Sequence, residues 1–448
     1  MKIFRKIERN GSEIIYFFNI KLLSYKKKRD EITLEKIKEI LNSYEVIEKK
    51  LREKIRDGDK VKVAFIVGLP SMFPAKPLVR VLTKSKYFLP SIIIVPDFRF
   101  GFQNAILNQK KCYDELREYC DIIKMAPMVD IDDDLPLNDL ADIVFLPVPY
   151  EISHSKYNLI NLIEAGLLPA IVNYGFFRSR FDRERLIASI QYSLFWKVFC
   201  ETKYNLQEFY HYSIIKGKNT ILTGYCKMDD YRPYNHKINK KTVLIAPHHS
   251  VDGGFNDVLA LSNFEKYSDF FLELPDIYPE IDFIFRPHPA LFLVMEKNDF
   301  WGKEKTDRYI SEMRAKRNVR YSDGGDYFSD FSISDGIIQD CGSYLVEYFY
   351  TLKPQCYLLK SEKDIEEKFV ELGARCLEHC YIAYDKNNIL DFIDTVILEE
   401  NDPKKNAREI FAKEEIMLNY PNVSKCIVGY FENILGGIDE KSHHLWDI

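Results

Sequence analysis

The chain has 448 residues, a length that at roughly 100–200 residues per domain calls for two or three domains. Hydrophobic residues make up 46% and charged residues 29%, with Gly and Pro at 19 each, which excludes disorder, collagen-like repeats and low complexity. A net charge of −5 lacks the basic excess with which dedicated nucleic-acid binders neutralise phosphates, so no nucleic-acid partner is expected.

The charge is uneven: residues 1–29 hold nine cations and two anions. No apolar run approaches the ~18–20 residues that span a bilayer, and the basic start lacks the apolar core and cleavage site of a signal peptide, so a cytoplasmic protein is expected. The nine cysteines form no Cys-x-x-Cys pair. Cys376-Leu-Glu-His379-Cys380 is the nearest metal candidate, but it has no second ligand pair at zinc-finger spacing, so reduced thiols and no metal are expected.

In chain order, residues 14–24 are apolar and aromatic and run into Tyr25-Lys-Lys-Lys-Arg29. Such a segment suits either an anionic membrane surface, with cations on lipid phosphates, or an edge hairpin with a solvated basic turn. Leu34, Ile37, Ile40, Leu41, Tyr44, Ile47, Leu51 and Ile55 then step by three and four, predicting one amphipathic helix that ends at Asp57-Gly-Asp59. Residues 1–58 are thus a basic and helical extension.

Residues 59–217 alternate between strand and helix text. Strands are predicted at 61–67, 91–95, 121–125, 143–146 and 169–172, helices at 74–86, 105–119 and 156–165, and one long helical stretch at about 182–216. After Thr220–Tyr225 and a polar loop, residues 218–402 repeat the alternation, with strands at 242–246, 281–285, 319–321, 336–339 and 355–359. Residues 403–448 read as closing helices. The expected fold is α/β: two Rossmann-like domains joined near 218–240 and facing a cleft, with ligands beyond the carboxyl ends of the strands.

Three strand ends of the second half carry the chemistry: Ala246-Pro-His248-His249-Ser250, Arg286-Pro-His288-Pro289 and Asp340-Cys-Gly342-Ser343. In a parallel sheet all three lie on one edge. That edge suits a diphosphate: Arg286 offers forked donors, the helix start at Gly342 and Ser343 offers free N–H groups, and a protonated His288 can donate to the same oxygens or protonate a leaving group. Ile131-Asp-Asp-Asp134 is read as a solvated loop. No Gly-x-Gly-x-x-Gly or Walker loop supports an NAD or ATP site.

Ile338-Gln-Asp340-Cys-Gly342-Ser343-Tyr-Leu-Val-Glu347-Tyr348, running to Lys353-Pro354, resembles the donor-site motif of the CDP-glycerol glycerophosphotransferase family, which builds teichoic acids and capsular polymers. Gly342 stands where that motif usually has a serine. Ile284-Phe-Arg286-Pro-His288-Pro289 is similar to the family's Arg-x-His-Pro signature. Thr223-Gly-Tyr225-Cys-Lys-Met-Asp229 resembles its interdomain turn, and Ala246-Pro-His-His249 its Ala-Pro-Thr-Trp strand end.

The resemblance covers about residues 140–360. It implies a GT-B fold, a CDP-linked polyol donor in the second domain, a glycan or lipid-linked glycan acceptor on the first, no required cofactor, and a place at the inner face of the plasma membrane. It assigns the pyrophosphate to Arg286 and His288, with Ser343 and the Gly342 amide donating, Asp340 in the motif, and Glu347 on donor hydroxyls. His248 and His249 join by position. The family's presumed base is the His of Trp-His-Gly, whereas this chain has Val172-Asn-Tyr174-Gly-Phe176. His154 and Tyr174 are the substitutes, and His154 is preferred because a phenol near pKa ~10 needs strong activation.

The expected activity is transfer of glycerol phosphate, or a similar polyol phosphate, to a glycan hydroxyl with release of CMP. The alternatives are a GT-B glycosyltransferase using a nucleotide sugar and a non-catalytic glycan-binding protein that retains the donor pocket.

Overall fold

In this computed structural model the residues described are 4–9, 12–17 and 20–26, by backbone, and 32–129, 137–233, 240–251 and 260–436. The acidic run 131–134 and the closing His443 and His444 lie outside them. The chain divides into two compact units. One comprises the described residues up to Ile171, with Ile190–Val198 and residues 430–436; the other comprises the described residues of Val172–Ser189 and Phe199–Gly429.

The start of the chain is extended. Strands β1 (Phe4–Arg9), β2 (Ser12–Phe17) and β3 (Ile20–Lys26) pair antiparallel in sequence order. Of the two readings of residues 14–24, the hairpin agrees with the strands, as a β-branched and aromatic run favours. Helix α1 (Leu34–Arg56) begins where the Thr33 side chain accepts from the Lys36 N–H, and it buries Ile37, Ile40, Tyr44 and Leu51. The Tyr44 hydroxyl donates to Leu194 O at 2.5 Å, and Trp196 Nε1 donates to Glu48 at 2.7 Å. The amphipathic face therefore covers the core of its own unit.

The first unit is built on β4 (Val61–Val67), β5 (Phe88–Ile94), β6 (Ile123–Met125), β7 (Ile143–Phe145) and β8 (Leu168–Val172). They lie parallel in the order β8-β7-β4-β5-β6. Beyond β8 the structure corrects the sequence reading. The stretch 182–216 is not one helix: short helical turns at 180–187 and 190–194 give way to β9 (Lys197–Cys200), and a separate helix covers 203–212. Val198-Phe-Cys200 is fully buried, and the Thr202 side chain starts the next helix by accepting from the Asn205 N–H. An apolar run buried on all sides has no period to distinguish strand from helix.

After β10 (Thr220–Leu222), the turn at Gly224 brings the backbone against Leu418. A Cβ there would lie 2.2 Å from Leu418 O, and φ is +100°, so only glycine fits. The second unit's sheet comprises β11 (Thr242–Ala246), β12 (Asp282–Phe285), β13 (Val319–Tyr321), β14 (Gly336–Gln339), β15 (Gln355–Leu358) and β16 (Tyr381–Ala383), parallel in the order β13-β12-β11-β14-β15-β16. The sequence reading missed β16, which no Gly or Pro sets off from the helices at 371–378 and 386–391 on either side.

Side chains alternate across this sheet. Leu244, Ile284 and Ile337 join one buried cluster, while Val243, Ile245, Phe283, Phe285 and Ile338 join the other. Both faces are dry, as expected of parallel strands with helices on each side.

Candidate functional site

Strand register sets the site. Ala246 pairs with Gln339 and Ile245 with Phe285, so β11, β12 and β14 end level and their loops leave the sheet side by side. Asp340, fully buried, locks two segments at that edge: one oxygen accepts from the His248 N–H at 2.6 Å and the other from the Asn263 N–H at 2.5 Å. Burial raises its pKa to about 6 despite those donors. Asp340 thus organises the loops, with both oxygens occupied by backbone.

Three imidazoles gather there. Ring centroids lie 4.2 Å apart for His248 and His249, 4.1 Å for His249 and His288, and 5.3 Å for His248 and His288. Burial drives His288 down to about 3, with a further push from His249. Burial also lowers His249. His248 is held well below 6.5 by burial and then by His249, His288 and Arg178. All three are neutral at pH 7.

Backbone hydrogen bonds choose the tautomers. Ala290 N–H donates to His288 Nδ1 at 3.1 Å, and Ser250 N–H reaches His248 Nδ1 at 3.3 Å. With Nδ1 accepting, the hydrogen of each neutral ring sits on Nε2. The His249 Nδ1 is buried without a partner. One ligand atom from each ring lies within 4.8 Å of the others, a spacing that a nitrogen-bound divalent ion could use. However, Nε2–H groups and a nearby arginine repel a cation and offer donors to an oxyanion, so the donor set fits phosphoryl oxygens better.

Two predicted donor-binding residues face inward. Arg286, 6% exposed, gives Nη1 to Asp330 and Ser322, each at 2.7 Å, Nη2 to Gly325 O at 2.6 Å and Nε to the Tyr344 hydroxyl at 3.2 Å. It braces the loops after β12 and β13. Glu347, 1% exposed, accepts from the Tyr327 hydroxyl at 2.6 Å and the Tyr225 hydroxyl at 3.1 Å, and lies 3.4 Å from Lys227 Nζ.

Gly342 and Ser343 are at the edge, joined by a residue that sequence reasoning missed. A Cβ on Gly342 would lie 2.1 Å from Arg178 Nη2 and 2.6 Å from its Nε. Arg178 therefore occupies the space a serine side chain would take. The only textual signal was a glycine in place of a serine, with basic residues at 178 and 180. A Cβ on Gly175 would lie 3.5 Å from Ser343 Oγ, so the turn after β8 packs on the same loop.

Of the two candidate bases, Tyr174 belongs to this unit. Its side chain is 41% exposed, and its carbonyl accepts from the Tyr225 hydroxyl at 2.5 Å. His154 belongs to the first unit, where its Nε2 lies 2.9 Å from Pro127 O and its ring meets Phe98 edge-on at 5.2 Å. In the Cys376 and Cys380 pair both thiols are buried and free, and Cys380 Sγ donates to Cys376 O at 3.2 Å. That is a local contact just past the end of the helix Glu371–Glu378.

No family model and no curated protein matches the chain in sequence. Solved structures do match it in fold. MnaA of S. aureus with UDP is 15% identical over 85% of this chain and 98% of its own, with a TM-score of 0.54. The UDP-GlcNAc 2-epimerase of Neisseria meningitidis bound to UDP-GlcNAc is 16% identical over 84% and 100%, with a TM-score of 0.53. The wall teichoic acid polymerase TagF is 11% identical over 90% and 98%, with a TM-score of 0.52, and a TagF variant has also been solved after a CDPG soak. At such identities the likeness speaks for architecture: the chain has the GT-B fold.

Proposed function

We propose that this chain is a polyol-phosphate transferase that takes a CDP-linked donor, most simply CDP-glycerol, at the carboxyl edge of β11, β12 and β14. It passes the polyol phosphate to a hydroxyl of a cell-surface glycan. The observation that supports this reading is the clustering of the His248, His249 and His288 rings at that edge, where Ser343 follows β14, while Asp340 spends both oxygens on backbone N–H groups. Such a cradle of donors is what a diphosphate needs.

In the reaction, the acceptor oxygen bonds to the phosphorus that carries the polyol, the bond from that phosphorus to the bridging oxygen breaks, and CMP leaves with the electron pair. The acceptor's proton goes to a base, His154 in preference to Tyr174. His288 is neutral in the empty site, and an arriving diphosphate raises its pKa, so its Nε2–H holds the phosphoryl oxygens and follows charge onto the leaving group. Positioning and charge neutralisation supply most of the rate. Deleting the basic segment 1–29 should spare donor turnover; weaker binding to anionic vesicles would support its attachment to a membrane surface, and equal binding would leave it a hairpin with a solvated basic turn.

The test is a product screen with CDP-glycerol, CDP-ribitol and UDP-linked sugars. Slow conversion of a CDP-polyol to CMP supports phosphotransfer. The likeness to UDP-sugar enzymes favours one second reading, a nucleotide-sugar enzyme, and turnover of a UDP-sugar with CDP-polyols untouched would replace the first reading by that one.

A further inference from the structure

The phosphate cradle just described lacks a committed cation, because the nitrogens of Arg286 are engaged by Asp330, Ser322, Gly325 and Tyr344. We infer that Arg178 is the phosphoryl-binding arginine of this site. Its Nε and Nη2 side, packed over Gly342, takes the anionic oxygens of a nucleoside diphosphate, and the missing side chain at 342 is what admits it. The inference rests on the donor reading above and adds a residue to it.

Three observations carry it. First, the guanidinium is held from one side only. Nη1 donates to Asp182 at 2.8 Å, while Nε is buried without a hydrogen-bond partner. A donor left unmade inside a protein is destabilising, and a ligand that completes it recovers that loss. Second, the arm is anchored before any ligand arrives. The Arg178 carbonyl accepts from the Val370 N–H at 3.0 Å, its own N–H donates to Asp182 at 3.1 Å, and the Gly373 backbone packs against it so closely that a Cβ there would lie 2.4 Å from Arg178 O. Binding therefore has little ordering to do.

Third, Asp182 compensates the charge while the site is empty without needing Arg178 for its own placement. Its carboxylate also accepts from the Ser179 N–H at 2.9 Å and the Ser179 hydroxyl at 2.8 Å, as part of a capping box. The arginine is thus oriented by a pair that leaves its other donors available. Gly342 is the complement: any larger residue would drive into the guanidinium.

The experiment titrates CDP, UDP, pyrophosphate and cytidine into the full chain and into Arg178→Lys, Arg178→Gln and Gly342→Ala, with circular dichroism and thermal unfolding on each. The wild type should bind a nucleoside diphosphate well above cytidine. Arg178→Gln should weaken diphosphate binding roughly 10- to 100-fold, the range of a lost charged hydrogen bond, and leave cytidine unchanged. Arg178→Lys should fall between, and Gly342→Ala should behave like Arg178→Gln because its Cβ displaces the guanidinium. A purely structural arginine would lower cytidine and diphosphate binding together.

Diphosphate binding that survives in both Arg178→Gln and Gly342→Ala overturns the assignment of Arg178 and leaves the donor reading standing. If Arg178→Gln does not fold, Gly342→Ala and Arg178→Lys decide on the same terms. A folded wild type that binds neither diphosphate nor pyrophosphate overturns the donor reading itself.

Discussion

Replacing Glu201 by glutamine should stabilise the second unit at neutral pH. Glu201 follows β9, is 1% exposed, and accepts from Asn173 Nδ2 at 2.8 Å through Oε1, while Oε2 is buried without a partner. Burial raises its pKa from 4.5 to about 8, outweighing the Asn173 hydrogen bond that favours the charged form. Below pH 4.5 the acid is protonated whether folded or unfolded, and it carries no penalty. Between 4.5 and about 8 the unfolded chain releases a proton that the native state keeps, so stability falls as pH rises, by about 1.4 kcal/mol per unit. At pH 7 the loss is about 3 kcal/mol. Glutamine has nearly the same shape, still accepts from Asn173 and does not titrate. Urea unfolding of both proteins from pH 4.5 to 8 should therefore show curves that coincide at the acid end and separate to about 3 kcal/mol at pH 7. A difference independent of pH, or a glutamine variant less stable throughout, refutes the assignment of a buried neutral acid.

The histidine cluster predicts the opposite slope. His288 is pushed down to about 3 by burial, so from pH 6.5 downward the unfolded chain gains a proton the native state refuses, and stability should fall by up to about 1.4 kcal/mol per unit. His288→Asn should flatten the acid limb of the unfolding series, and an unchanged limb would contradict the burial. Asp330→Asn removes the carboxylate facing Arg286 at 2.7 Å, with both groups buried, and should lower stability by about 3–5 kcal/mol; a loss under about 1 kcal/mol would mean that solvent reaches the pair. Asp229 accepts from the Val423 and Ser424 N–H groups at 3.0 and 2.7 Å, at the start of the helix Val423–Gly436. Asp229→Ala should reduce stability by about 1–2 kcal/mol, with early hydrogen exchange at 423–426 as the local readout.

Much of the architecture was legible in the text because it rests on local chemistry. The three-and-four spacing from Leu34, the short apolar runs at 61–67, 242–246 and 336–339, and the polar turns between them are consequences of period and burial that any window of residues carries. The same holds for the three strand ends with His248, His288 and Ser343, since parallel strands of known order must present their carboxyl ends on one edge. The text failed where no Gly or Pro sets a short apolar run off from helix-like neighbours, as around β9 and β16.

Which side chains are tied up inside the fold, and which are left at that edge, was decided only by tertiary structure. Arg286 has the right neighbours in sequence, yet Asp330, 44 residues on, takes its guanidinium. Arg178 lies 164 residues before Gly342, with no motif of its own, yet it fills the volume a serine would have needed. A side chain's partners depend on distances between segments that share no local pattern, so composition and spacing could place Arg286 and Gly342 at one edge of this sheet but could not say that Asp330 engages the first or that Arg178 packs on the second.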